Sequence, residues 1–201
     1  MLSKNAFLNC DILENIPQLN RENYLQEIKL LKSELLQNTS VLQVGSMDGT
    51  RIIHLLEVRP DLKITGLEIE PDLAKLAEEK IAAANLAANF ICGDITNPPG
   101  LPNFDYVICL NNTLGYIPDY EKAIKEMKKL SKAVIISVYG EKFNDDLARE
   151  YFRSIELEIE STGDNLFFLK NFGTVKRFTR KEVESWSNKI IETPIGYFCI
   201  L

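Results

Sequence analysis

Short apolar strands alternate with amphipathic helices through the middle of the chain, and this alternation limits the possible folds more than any other feature. The strand segments are VLQVG, KITGLEI, NFICGD, FDYVICL and AVIISVY, and the helical segments are TRIIHLLE, PDLAKLAEEKIAAA and DYEKAIKEMKKL. Parallel strands need a crossover between them, and a helix usually supplies it, so the order predicts a mostly parallel sheet with helices on both faces. We therefore expect a doubly wound, Rossmann-like α/β fold.

The flanking segments fit one domain over residues 1–201. Apolar residues recur at helical spacing before Val41, so residues 1–38 are predicted to form a helical cap and residues 39–140 the ligand-binding core. Residues 141–201 contain a helical run followed by the segments IELEIE, NLFFLKN, TVKRFT and IGYFCIL. We expect these strands to complete the same sheet with an antiparallel edge and to add a substrate-side loop or small lid.

The charge balance and the cysteines narrow the function classes. The 201 residues include 29 acidic and 23 basic side chains, for a formal net charge of -6, which disfavours nucleic acid as a partner. No apolar run reaches the roughly 18 residues that span a bilayer, and no signal-peptide core is recognised at the N-terminus. The four cysteines are scattered without CxxC spacing, so we expect a reduced, cytoplasmic protein.

The turn in VLQVGSMDGT joins the first strand to its helix, where doubly wound folds bind ligands. A purely structural turn is the alternative, because glycines also serve positive φ angles. The dinucleotide pattern G-x-G-x-x-G fails here, since Met47 and Thr50 occupy the second and third glycine positions. Asp48 disfavours a phosphate, and no G-K-[ST] follows. These features favour a nucleoside-like ligand without a phosphate.

VLQVGSMDGT resembles the first motif, acidic-x-G-x-G-x-G, of the class I S-adenosylmethionine-dependent methyltransferases. Glu68 in GLEIEPD, Asp94 in FICGDI and the segment FDYVICLNNTLGYIPD are similar to that family's later landmarks and follow in the same order. SVYGEKF, TVKRFT and GYFCIL look like those of a small, poorly characterised subgroup. The resemblance implies S-adenosylmethionine as cofactor and S-adenosylhomocysteine as product.

The resemblance also implies where the cofactor lies. Glu68 is expected to hold the ribose, Asp94 the adenine edge, and Ile69 and Ile95 the faces of the adenine. The backbone of Leu110 and Asn111 is expected near the methionine amino group. The turn residues expected around the methionine part and the adenosine are Gln43, Gly45, Ser46, Met47, Gly49 and Thr50.

Two residues depart from the family motif. Gln43 stands at the acidic position and loses the charge that attracts the ammonium and sulfonium groups, although its carbonyl oxygen still accepts a hydrogen bond. Met47 replaces the middle glycine, which is accommodated if the backbone keeps the turn. A catalytically inactive S-adenosylmethionine-binding or nucleoside-binding protein of the same fold is therefore an alternative.

The acceptor side is less sharply indicated. Methyl transfer depends mainly on alignment, so no catalytic side chain is required, and the acceptor-facing candidates are Asn112, Tyr116 and Tyr139, with Tyr24 from the preceding helix. His54 is expected to be structural, and no metal is implied. A basic cluster could recognise a carboxylate, a phosphate or RNA, or simply be solvated: Lys170, Lys176, Arg177, Arg180 and Lys181.

These observations predict methyl transfer to a small molecule, with an RNA or protein methyltransferase as a further alternative. The oligomeric state and the attacking atom are left open by the sequence.

Overall fold

The structure, a computed structural model, describes residues 12–201. Cys10 and the start of the predicted cap therefore lie outside the described residues. The helices are α1 (Gln18–Glu34), α2 (Thr50–Val58), α3 (Pro71–Ala83), α4 (Tyr120–Leu130), α5 (Asp145–Ser154) and α6 (Arg180–Trp186). The strands are β1 (Ser40–Val44), β2 (Lys63–Glu68), β3 (Ala88–Cys92), β4 (Phe104–Cys109), β5 (Ser131–Tyr139), β6 (Ile159–Gly163), β7 (Leu166–Leu169), β8 (Gly173–Lys176), β9 (Lys189–Glu192) and β10 (Gly196–Ile200), and Thr113–Tyr116 forms a 3-10 turn.

Seven strands form the main sheet in the order β3-β2-β1-β4-β5-β10-β9. The first five are parallel, whereas β10 pairs antiparallel with both β5 and β9. This arrangement confirms the doubly wound fold with an antiparallel C-terminal edge. The order reverses at β1 and β4, so the crevice between the ends of these two strands is the expected ligand position.

The central strands are apolar on both faces because helices cover both faces. Leu42 and Val44 pack with Met127 of α4 on one face of the sheet. Val41 packs with Leu31 of α1 and Ile52 of α2 on the other face. Alternate residues of β1 thus enter two different cores, as expected for a buried parallel strand.

The strands β6, β7 and β8 form a separate three-stranded antiparallel sheet, here called the small sheet. The prediction that these segments complete the main sheet was wrong, since only β9 and β10 occupy that edge. The reason lies in packing: Phe167 and Val175 of the small sheet join a core with Phe143 and Phe152 next to α5. The strand in the segment IELEIE is also shorter than expected. Its first residues form the turn after α5, and β6 begins only at Ile159.

The small sheet lies against the 3-10 turn that follows β4. An added Cβ at Gly115 would lie 2.3 Å from the carbonyl oxygen of Lys176, so only glycine permits this approach. Asn112 fixes the junction, because its Nδ2 donates to the Lys176 carbonyl at 2.9 Å and its Oδ1 accepts from the Tyr139 amide at 3.0 Å. The small sheet is therefore positioned over the carboxyl ends of the central strands.

Candidate functional site

A cavity of about 860 Å³ opens at the carboxyl ends of the central strands. Its size is within the range of small-molecule sites. One end is lined by residues that follow β1, β2, β3 and β4, and the other end by the 3-10 turn, α5 and the small sheet. The predicted site residues that line this cavity are Gln43, Gly45, Met47, Glu68, Ile69, Asp94, Ile95, Leu110, Asn111 and Tyr116.

The turn after β1 has a left-handed backbone at three positions. The φ angles are +67° at Gly45, +50° at Met47 and +78° at Gly49. The amides of Gly45 and Ser46 both donate to the carbonyl oxygen of Leu67, at 2.9 and 3.2 Å, which ties the turn to β2. Met47 therefore adopts a left-handed conformation that L residues rarely take and that glycine takes readily.

Gln43 presents an unsatisfied acceptor. Its side chain is 2% exposed, and its Oε1 has no hydrogen-bond partner among residues 12–201. A buried carbonyl oxygen without a donor costs free energy, and Gln43 is one of the residues that line the cavity. The residue that departs from the acidic position of the motif thus still offers an acceptor that fits an ammonium group.

Glu68 lies at the end of β2 and is linked to the turn. Its Oε2 accepts from the Met47 amide at 2.8 Å, and its Oε1 accepts from the Glu70 amide at 3.1 Å. Burial disfavours the charged form and raises the pKa of the Glu68 carboxyl, although these hydrogen bonds act in the opposite direction. The carboxylate is fixed in orientation and has lone pairs left for a ligand hydroxyl.

The raised pKa of Glu68 predicts a pH dependence of stability. Because the folded protein holds this proton more tightly than the unfolded chain, the stabilising contribution is present below the ordinary pKa of 4.5 and is lost as the pH rises through the folded-state pKa. We expect the free energy of unfolding of the wild type, relative to that of Glu68→Gln, to fall as the pH rises from the ordinary pKa of Glu68 through its folded-state pKa. Urea titrations from pH 4 to pH 8 measure it, and parallel curves for the two proteins would contradict the prediction.

Asp94 is held by its own loop. The amide and the hydroxyl of Thr96 donate to its two carboxylate oxygens at 2.7 and 2.8 Å. Ile95 is 3% exposed beneath the cavity, whereas Ile69 is 59% exposed at its rim. These two side chains offer apolar contacts at the Asp94 end of the cavity.

Three predicted turn residues do not line the cavity. Ser46 lies over Gly66 of β2, where an added Cβ would be 2.6 Å from its hydroxyl. Gly49 approaches Ala77 and Phe90, so its lack of a side chain serves packing against α3 and β3. Thr50 accepts a hydrogen bond from Lys80, which also pairs with Asp48. The turn directs Ser46 toward β2 and Gly49 and Thr50 toward α3, whereas its Gly45 and Met47 positions line the cavity.

Three of the four acceptor-facing candidates also lie off the cavity wall. Asn112 is fully buried at the junction with the small sheet, where both of its side-chain polar atoms are hydrogen-bonded. Tyr139 is 1% exposed and donates its hydroxyl to Asn111 Oδ1 at 3.2 Å. Tyr24 lies on the buried face of α1, and its hydroxyl is hydrogen-bonded to His54 Nδ1. The single histidine thus has a structural partner. Tyr116 is the one tyrosine of this set that lines the cavity.

Residues 41–133 match the family described as methyltransferase domain. The central part of the chain is thus similar to methyltransferase domains. The matched range contains every predicted cofactor residue, from Gln43 to Asn111.

Individual relatives share this domain at moderate or low identity. The demethylmenaquinone methyltransferase of Listeria monocytogenes is 30% identical over 115 residues, which cover 53% of this chain and 45% of that protein. The chain thus spans less than half the length of the curated relatives it matches.

Two solved structures share the fold over most of both chains. An S-adenosylmethionine-dependent methyltransferase from Clostridium acetobutylicum superposes with a TM-score of 0.66 at 14% identity, covering 97% of this chain and 96% of that chain. An amino pentose methyltransferase from Micromonospora echinaspora, solved with S-adenosylmethionine bound, gives 0.63 at 16% identity, covering 88% and 89%.

The sequence did not indicate one charged residue of this cavity. Arg51, in the first turn of α2, lines the cavity and pairs with Glu27 of α1 at 2.5 Å. Both side chains are almost fully buried, and the Arg51 guanidinium lies 4.0 Å from the ring centre of Tyr24. The sequence does contain one feature that could have indicated a buried partner. Asn20, Asn23 and Glu27 recur at helical spacing and form a polar row on the buried face of α1.

The basic cluster of the C-terminal segment does not form a free cationic surface. Its paired members are Lys170 with Glu158, Lys176 with Glu182, Arg177 with Asp145 and Arg180 with Glu184, at 2.8 to 3.2 Å. Only Lys176 of the cluster lines the cavity. Among residues 12–201, no group of three or more histidine, cysteine or acidic residues is placed to hold a metal ion, and no helix is long and apolar enough to cross a membrane.

Proposed function

We propose that this protein transfers the methyl group of S-adenosylmethionine to a small-molecule acceptor. The observation that carries the proposal is one cavity lined by Gln43, Glu68 and Asp94, in which the buried Gln43 Oε1 has no hydrogen-bond partner. An ammonium donor, two ribose hydroxyls and an adenine edge need acceptors spread along one cavity, and these three residues supply oxygen acceptors there. The proposed cytoplasmic location still rests on the cysteine pattern alone.

Each end of the proposed cofactor has residues to hold it. Glu68 would accept the ribose hydroxyls, Asp94 would contact the adenine edge, and Ile69 and Ile95 would contact its faces. Gln43 Oε1, with the backbone of Leu110 and Asn111, would accept from the amino group. When bound, S-adenosylmethionine supplies a sulfonium methyl group: the acceptor's lone pair forms the new bond to carbon, and the S–C electron pair stays on sulfur as a neutral thioether.

The protein's proposed contribution is alignment and exclusion of water. The small sheet and the 3-10 turn line one end of the cavity, and the 3-10 turn meets the glycine turn where Thr113 approaches Gly45. Proximity and orientation account for much of the rate of a displacement of this kind, so a dedicated acid or base is not needed unless the acceptor must lose a proton. Tyr116 is the proposed acceptor-facing side chain, since Asn112 and Tyr139 lie behind the wall.

Named relatives support a small-molecule acceptor. The Listeria relative is a demethylmenaquinone methyltransferase, and the Micromonospora structure is an amino pentose methyltransferase. The formal net charge of -6 and the paired basic cluster oppose an RNA acceptor.

The proposal is tested by isothermal titration of the protein with S-adenosylhomocysteine and with S-adenosylmethionine. We expect micromolar binding of both, and a loss of about 1–3 kcal/mol in Glu68→Gln, because ribose hydroxyls lose a charged acceptor. Glu79→Gln is the matched control, since Glu79 is exposed on α3 away from the cavity. Absence of binding by the wild type, or equal losses in both variants, would contradict the proposal.

A binding protein without turnover is the second candidate, and Gln43 at the acidic position favours it. This candidate predicts the same binding of S-adenosylhomocysteine and S-adenosylmethionine in the titrations. It predicts no formation of S-adenosylhomocysteine with any acceptor in a broad small-molecule screen.

A further inference from the structure

The end of the cavity beneath the small sheet is walled by apolar and aromatic side chains. We call this end the acceptor chamber and define it by Met47, Tyr116, Tyr151, Leu157, Leu166 and Phe172. Tyr116 and Phe172 meet edge to face, with ring centres 5.9 Å apart and planes inclined by 75°. Met47, Tyr116, Leu157 and Phe172 rest on the apolar core that joins α5 to the small sheet, so the wall is anchored. Such walls favour a flat, apolar ligand.

Charged residues near the chamber already have partners within the protein. Lys176 pairs with Glu182 at 2.9 Å, and its ammonium lies 5.8 Å from the ring centre of Tyr120 and 5.3 Å from that of Phe178. Asp119 caps α4 by accepting from the Lys122 amide at 3.1 Å. The six residues that define the chamber are all uncharged, so an ionised ligand among them would lose its hydration without a counter-ion from the wall.

The other charged residues of the cavity wall lie elsewhere. Arg51 is held by Glu27 under α1. Glu68, Glu70 and Asp94 are at the ends of β2 and β3, the end assigned to the adenosine in the proposed function. None of these residues belongs to the chamber wall as defined above.

We propose that the acceptor chamber binds an uncharged, planar aromatic or conjugated small molecule, stacked or edge-on against Tyr116 and Phe172. The inference rests on the proposed function and names its acceptor class. It does not use the alternative in which the basic cluster recognises a carboxylate or phosphate, because four of the five cluster residues are paired with carboxylates. A polymeric acceptor is the competing class.

The chamber can be probed without knowing the acceptor. Protein saturated with S-adenosylhomocysteine is titrated at pH 7 with three molecules of similar shape: neutral 2-naphthol, anionic 2-naphthoate and cationic 2-naphthylmethylammonium. We expect 2-naphthol to bind at least about ten-fold tighter than either ion. Only the two ions give up the water around a charged group without gaining a counter-ion from the chamber wall.

Two phenylalanines of the small sheet region provide a matched pair of variants. Phe172 lines the chamber, whereas Phe168 is 38% exposed and does not line the cavity. We expect Phe172→Ala to weaken 2-naphthol binding by roughly five-fold or more, through loss of an aromatic contact, and Phe168→Ala to change it by less than about two-fold. The affinity for S-adenosylhomocysteine should stay unchanged in both.

Several results would overturn the inference. These are binding of either ion as tightly as 2-naphthol, equal effects of Phe172→Ala and Phe168→Ala, no binding of any probe, or tight binding of an RNA oligonucleotide that competes with 2-naphthol. If S-adenosylhomocysteine binds and 2-naphthol does not, the chamber assignment fails and the proposed function stands. If S-adenosylhomocysteine does not bind, the proposed function fails, whatever the naphthol result.

Discussion

Gly45→Ala is expected to abolish measurable S-adenosylhomocysteine binding and to lower the free energy of unfolding by about 2–4 kcal/mol. Gly45 has a φ angle of +67°, where an L side chain is strained. The added Cβ would also lie 2.4 Å from Thr113 Cγ2 and 2.9 Å from Thr113 Oγ1. Because Gly45 and Thr113 both line the cavity, relief of the clash displaces the Thr113 side chain or one of the two turns, and each of these shifts deforms the site.

Urea unfolding and isothermal titration measure these two effects. Gly100→Ala is the matched control, since an added Cβ there meets no atom within 4 Å. Thr113→Ser removes the nearest clashing atom, so Gly45→Ala combined with Thr113→Ser should recover part of the stability but not the cost of the backbone conformation. Stability of Gly45→Ala within about 0.5 kcal/mol of the wild type would contradict the expected clash.

Arg51→Met is expected to lower the free energy of unfolding by about 3–5 kcal/mol, because it leaves a buried carboxylate without its cation. Glu27 has no exposed side-chain surface and also accepts from Asn23 Nδ2 at 3.0 Å and from Ser137. These neutral donors satisfy some of its lone pairs but do not balance its charge. The loss should appear in urea unfolding at pH 7 as a lower midpoint with an unchanged slope.

Two comparisons isolate the buried charge. Lys142→Met breaks an ion pair with Glu192 in which both side chains are more than half exposed, and it should cost at most about 1 kcal/mol. Glu27→Gln added to Arg51→Met removes the unbalanced charge and should recover a large part of the loss. An Arg51→Met protein as stable as Lys142→Met would show that the buried pair contributes little.

The main fold was predictable because each central strand is buried on both faces and each helix has one apolar face. In β1, for example, Leu42 and Val41 enter opposite cores, so neighbouring residues of the strand are apolar. The small sheet was not predictable in the same way. The segment NLFFLKN indicates a strand, but which sheet the strand joins depends on its packing against Phe143 and on the approach that Gly115 permits.

Site residues that directly follow a strand were the easiest to predict. Glu68 and Asp94 reach the cavity because the carboxyl ends of parallel strands meet at one edge. Asn112 follows β4 as well, but its side chain turns away from the cavity to bond the small sheet, a contact 64 residues distant in sequence. Arg51 and Glu27 come from different helices, and no local spacing relates them.

The most direct test of the central claim is a crystal structure of the protein with S-adenosylhomocysteine. The account predicts the ribose hydroxyls within hydrogen-bond distance of the Glu68 carboxylate, the adenine between Ile69 and Ile95, and the amino group at Gln43 Oε1. The sulfur should face the acceptor chamber beside Tyr116. A ligand bound outside this cavity, or with its ribose away from Glu68, would contradict the account.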